Sequence, residues 1–115
     1  MQDPSNSALS DRYRPQLLEE QEELRATSEA TIADRKPVEL DQQSVGRLSR
    51  MDALQNQAMA AGTEARRAAR GRALSAALGR IAAGEFGYCD RCGDFIGFAR
   101  LDLDPAAVRC MSCAR

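Results

Sequence analysis

The chain has no histidine, no tryptophan, and only two tyrosines and three phenylalanines among its 115 residues. Histidine is the most frequent general base near neutral pH. No nucleophile–base pair or glycine-rich phosphate loop replaces it, so an enzyme is not expected. So few large side chains cannot bury much surface, and small cores of this kind commonly need a metal or disulfide staple. No stretch approaches the roughly 20 apolar residues of a membrane span. The residues after Met1 are polar and carry no apolar signal stretch. A cytoplasmic protein with no membrane partner is the expectation.

What the sequence does have is four cysteines, set as Cys89-Asp90-Arg91-Cys92 and Cys110-Met111-Ser112-Cys113 with 17 residues between the pairs. Two residues between cysteines let one tight turn aim both sulfurs at a common ion, and the longer gap lets a second turn complete a tetrahedron. Gly93 follows the first pair, where a turn wrapped around metal favours a residue that tolerates positive φ. Two disulfides would suit an oxidising compartment, which nothing near Met1 supports. A redox Cys-x-x-Cys normally occurs once, in a strand–helix context missing from this chain. One Zn2+ held by Cys89, Cys92, Cys110 and Cys113 is the reading. Four thiolates leave no open coordination position, so the ion is structural.

The net charge of −1 hides an asymmetry. Residues 1–43 carry a balance of −5, residues 44–83 a balance of +5, the latter from seven arginines against Asp52 and Glu64. Opposite charge on successive segments suggests that they lie against each other. Proline is welcome in a first helical turn, so helix one is expected from Pro15 to about Arg35, with residues 1–14 a flexible tail. Leu17, Leu24 and Thr31, seven residues apart, form its seam. Helix two is expected from about Gln42 to Ala83, with Val45, Leu48, Met51, Ala58, Ala65 and Ala69 as a stripe resumed by Leu74, Leu78 and Ile81, and Gly84 as its cap. The predicted fold is mainly α: an antiparallel coiled-coil hairpin over 15–83 with its tip at 34–43, and a zinc-finger module over 84–115 at its base. The register predicted from the tip sets Pro15 opposite about Glu64. The arginines at 66, 67, 70 and 72 read as a solvated face or one paired with the acidic N-terminal tail, or as a patch that contacts nucleic acid or an acidic protein surface. Without interleaved aromatics, direct sequence-specific DNA binding is not expected.

The pattern Cys89-Asp90-x-Cys92, Ile96, Arg100, Pro105, Cys110-x-x-Cys113, preceded by Gly84-Glu85-Phe86-Gly87-Tyr88, resembles the zinc-finger signature of the DksA/TraR family. The resemblance implies a bacterial transcription regulator that binds RNA polymerase, often together with ppGpp. In that family a helical hairpin enters the polymerase secondary channel and acidic tip residues act near the catalytic magnesium. Here the tip candidates are Asp34, Glu39, Asp41 and Ser44. Asp41-Gln42-Gln43-Ser44-Val45-Gly46 stands where the best-characterised members have Asp-x-x-Asp-x-Ala, so only the first acid is kept. That departure keeps a second class open: a zinc-stapled coiled-coil adaptor that binds another protein with no direct effect on transcription. Arg100 reads as a brace for the finger, and Phe86, Tyr88, Ile96 and Leu101 as its small core.

Overall fold

Helix α1 spans Asn6–Ala30, nine residues earlier than the Pro15 start that the sequence suggests. Ser5 is its N-cap: extended backbone turns the Ser5 hydroxyl to accept the Ala8 amide at 3.1 Å, which satisfies one of the orphan donors of a first turn. The computed structural model describes residues 3–35 and 47–114. A short 3-10 turn, Ile32–Arg35, follows α1 and packs against the next helix. Helix α2 spans Arg47–Ala83, and α3, Phe98–Leu103, lies within the finger. Among the described residues no strand forms, and Tyr88 and Phe95 make one isolated antiparallel bridge. The protein is mainly α, a helical hairpin carrying a small four-cysteine module at its base. It measures 71 × 28 × 20 Å. No helix among the described residues is long and apolar enough to cross a membrane.

The C-terminus of α2 falls where the sequence places it. Gly84 adopts φ 75°, its amide bonds to the Ile81 carbonyl at 3.2 Å, and the Glu85 amide bonds to the Arg80 carbonyl at 2.8 Å. This pair of bonds closes the helix with a left-handed residue, a conformation that glycine adopts at little cost.

Three expectations are corrected. Residues 6–14 are not a flexible tail: Leu9 and Tyr13 are fully buried, and with Leu17 they step at four-residue intervals along one helical face. The stripe on α2 has the right period and the wrong phase. Met51 is 55% exposed and Ala58, Ala65 and Ala69 face solvent. The less exposed positions are Ala53, Gln57, Ala60, Glu64, Arg67 and Gly71, which lead into Leu74, Leu78 and Ile81. The tip half of the seam is built from small and polar residues, so hydrophobicity alone picks the neighbouring stripe. The register shifts as a consequence. Ser28 bonds to Glu64 at 3.1 Å and Gln21 to Ser75 at 3.0 Å. Helix α2 therefore overhangs α1 at the tip end, and the base of α1 runs alongside the finger. Val45 and the backbone of the tip beyond Arg35 lie outside the described residues.

The core gathers at that base. Leu9, Tyr13 and Leu17 from α1, Leu74, Ala77 and Ile81 from α2, and Phe86, Ile96, Leu101 and Ala106 from the finger form one cluster. Leu24, Ala73 and Leu78 pack against it, partly buried. Polar pairs add to these apolar contacts. Arg70 donates from Nη2 to Glu20 of α1 at 3.0 Å and from Nη1 to Asp104 of the finger at 2.8 Å.

Candidate metal centre

Two backbone knuckles bring the cysteines together. In the first, the Cys89 amide donates to the Asp94 carbonyl at 2.8 Å and the Gly93 amide to the Cys89 carbonyl at 2.9 Å. Gly93 takes φ 79° there, as its place after the first pair predicts. In the second, the Cys113 and Ala114 amides both turn back to the Cys110 carbonyl, at 3.1 and 2.9 Å. The Asp90 amide donates to the Val108 carbonyl at 2.9 Å and ties the knuckles to each other. The four Sγ atoms lie within 4.8 Å of one another, and Cys92 and Cys110 are 3.7 Å apart. A tetrahedron with Zn–S bonds of about 2.3 Å has edges of about 3.8 Å, so the sulfurs are spaced for one Zn2+ and are all free thiols.

Their proton chemistry fits the same ion. The Cys110 and Cys92 backbone amides, with Arg91, pull the Cys89 thiol down to about 6. The neighbouring Cys110 thiol, with burial, pushes Cys113 up to about 12. Four sulfurs this close cannot all ionise without a cation among them, and a dication supplies that charge. When bound, zinc fixes the two knuckles as one unit.

Around the sulfurs, two arginines brace the knuckles. Arg100 donates to the Arg109 carbonyl at 2.6 Å and reaches the Met111 sulfur at 3.6 Å. It thus braces the approach to Cys110 through the main chain. Arg109 in turn bonds Asp90 at 3.2 Å. Pro105 is buried in the connection between the knuckles. Phe86, Ile96 and Leu101 are buried as expected, while Tyr88 is half-buried and meets the Phe95 ring at 5.9 Å in a tilted pair, and Phe95 meets Phe98 edge-on at 5.2 Å.

Sequence reasoning missed the clasp between α1 and α3. Arg12 donates to both oxygens of Asp102, at 3.1 and 2.7 Å, and its guanidinium stands 4.6 Å over the Phe98 ring. The Tyr13 hydroxyl donates to the same carboxylate at 2.7 Å. Hydrogen bonds from Arg12, then from Tyr13, hold Asp102 below the usual carboxylate range. Ser5 followed by Leu9, Tyr13 and Leu17 was the readable signal for this helical start. Nothing local announces a partner 90 residues away.

The tip candidates are not assembled by the described structure. The Asp34 backbone belongs to the 3-10 turn. Glu39, Asp41 and Ser44 lie outside the described residues.

Comparison with known proteins places the module. The prokaryotic dksA/traR C4-type zinc finger matches residues 84–115. Over 40 residues the chain is 42% identical to the RNA polymerase-binding transcription factor DksA of Haemophilus influenzae. That match spans 35% of this chain and 28% of the relative, little more than a quarter of its length. In three dimensions the chain is similar to transcription factor DksA2 from Pseudomonas aeruginosa, with a TM-score of 0.77 at 24% identity, over 93% of this chain and 81% of that one. This likeness is one of fold.

Proposed function

By its four-cysteine finger the chain belongs to the DksA/TraR family, and on that premise we propose that it is a bacterial transcription regulator that binds RNA polymerase through the secondary channel. The observation that carries the proposal is the joining of that finger to a hairpin in a rod 71 Å long and 28 × 20 Å across. A thin rod whose core, among the described residues, gathers at one end can enter a pore that a globule of the same mass cannot. Cys89, Cys92, Cys110 and Cys113 hold one structural zinc that fixes the broad end. Asp34, Glu39, Asp41 and Ser44, in the turn between the two helices, are the residues that would meet the enzyme. The chain itself does no chemistry: its acids bias the mobile elements and magnesium of the polymerase, in the cytoplasm and with ppGpp at the shared interface.

The test is binding of the zinc-loaded protein to bacterial core RNA polymerase, in competition with a protein known to occupy the secondary channel. Mutual displacement is the expected result. Binding without displacement, or no binding, would overturn the proposal and favour the adaptor reading. In a second step, the double variant Glu39→Ala/Asp41→Ala should still bind and should lose its effect on transcription. Full activity in that variant would remove the tip from the mechanism.

A further inference from the structure

We infer that the first turns of α1, residues 6–14, are a zinc-dependent segment: they are helical only while the finger is folded, and Pro15 marks where they part from the rest of the helix. Three observations converge on this. The first is what buries the segment. Leu9 and Tyr13 are fully buried, and much of what covers them belongs to the finger. Leu9 Cδ1 comes so close to the main chain at Gly87 that a Cβ there would lie 3.0 Å from it, and the Tyr13 ring meets Phe86 at 5.7 Å.

The second observation is the polar fastening, which also leads to the finger and its hinge. Arg12 and Tyr13 hold Asp102 on α3. Asn6 Nδ2 donates to the Ile81 carbonyl at 3.2 Å, and the Tyr88 hydroxyl donates to the Pro4 carbonyl at 3.4 Å. Among the described residues, these side-chain bonds from residues 4–14 to other elements end on α2's last turn or beyond it.

The third observation is the proline itself. Pro15 is the tenth residue of α1, well past the first turn where proline is tolerated. It offers no amide to the Asp11 carbonyl, and its ring crowds that carbonyl. Helix propagation from the tip side toward residue 14 is therefore interrupted at this point, and nine residues alone are too few to stay helical in water. Contact with the finger must supply the difference. The helix start at Pro15 that the bare sequence suggests is the start α1 has once that contact is gone. Zinc thereby sets the length of α1 as well as the order of the finger. By linkage, docking of residues 6–14 strengthens zinc retention in return.

Hydrogen–deuterium exchange on the full chain, zinc-loaded and chelator-stripped, tests this. Stripping should cost amides 6–14 at least about tenfold more protection than amides 18–30. Unchanged protection at 6–14, or an equal loss throughout α1, would overturn the inference. In the stripped protein Pro15→Ala should bring the protection of 6–14 to within about threefold of 18–30; an undiminished gap would remove Pro15 as the boundary. A chelator-competition assay supplies the independent readout. Leu9→Ala should release zinc at roughly tenfold lower chelator, whereas Leu24→Ala, on the tip side of Pro15, should not. Equal effects of the two substitutions would show that zinc responds to general stability and not to this segment.

Discussion

At the scale of single residues, the contacts that join α1 to the finger make sharp demands. Gly87 has φ 91° and faces Leu9 at the distance noted above. Gly87→Ala therefore meets both a disfavoured backbone and a clash, and should cost about 1–3 kcal/mol, read as a lower urea midpoint. Tyr13 is a second case. Burial, then its hydrogen bond to Asp102, pushes its phenol up from 10.0 to about 12. A folded value above the unfolded one means that this stabilisation is complete below pH 10 and fades as pH rises toward 12. The urea midpoint of the native protein should fall over that window more steeply than that of Tyr13→Phe, and parallel curves would contradict the assignment. Asp102 works in the opposite sense. Its lowered value makes its contribution present at neutral pH and lost as acid protonates it. Sequence showed the four cysteines, and Phe86, Ile96 and Leu101, because spacing and side-chain type are local signals. It could not show Arg12 with Asp102, since that pair exists only after the chain has folded back.

At the scale of elements, the end of α2 was legible and the start of α1 was not. A glycine at a helix end has one common physical meaning, which Gly84 fulfils. A proline has two, and Pro15 proved to lie inside a helix held together by tertiary contact. The phase of α2 was hidden for a related reason. Glu64, Arg67 and Gly71 occupy seam positions that hydrophobicity would assign to solvent. The same seam explains the role of Arg70. It is one-third exposed and bridges α1, α2 and the finger by pairing with both Glu20 and Asp104. Arg70→Met keeps the aliphatic stem and removes both pairs. It should cost about 1 kcal/mol, with a smaller deficit at high salt, measured by urea unfolding at two ionic strengths. A deficit that ignores salt would mean that the stem matters and the charge does not.

At the scale of the whole molecule, the hairpin and its base depend on each other unequally. Among the described residues, six of the twelve buried hydrophobics, Phe86, Cys89, Ile96, Leu101, Ala106 and Ala107, belong to residues 84–115. The other six, on α1 and α2, lie at the same end. Among the described residues the tip half of the rod has no comparable core and relies on helix propensity, small seam residues and ion pairs. Such a molecule should be extended when folded, and the loss of zinc should open its base. The structure has a radius of gyration of 19.9 Å, against about 13 Å for a globule of this length and about 34 Å for the unfolded chain. Small-angle scattering of the zinc-loaded protein should give a value close to 20 Å. Cys89→Ser removes one ligand of a site type whose zinc contributes roughly 10–16 kcal/mol of apparent binding free energy, far more than a small core can replace. That variant should scatter with a radius between the rod and the unfolded chain, and should lose the sharp amide dispersion of residues 84–115. A zinc-loaded value near the globular figure would refute the rod on which channel entry depends. An unchanged radius in Cys89→Ser would show that the base holds without its fourth thiolate, and the staple would have to be sought in the apolar cluster of Leu9, Tyr13, Phe86 and Leu101.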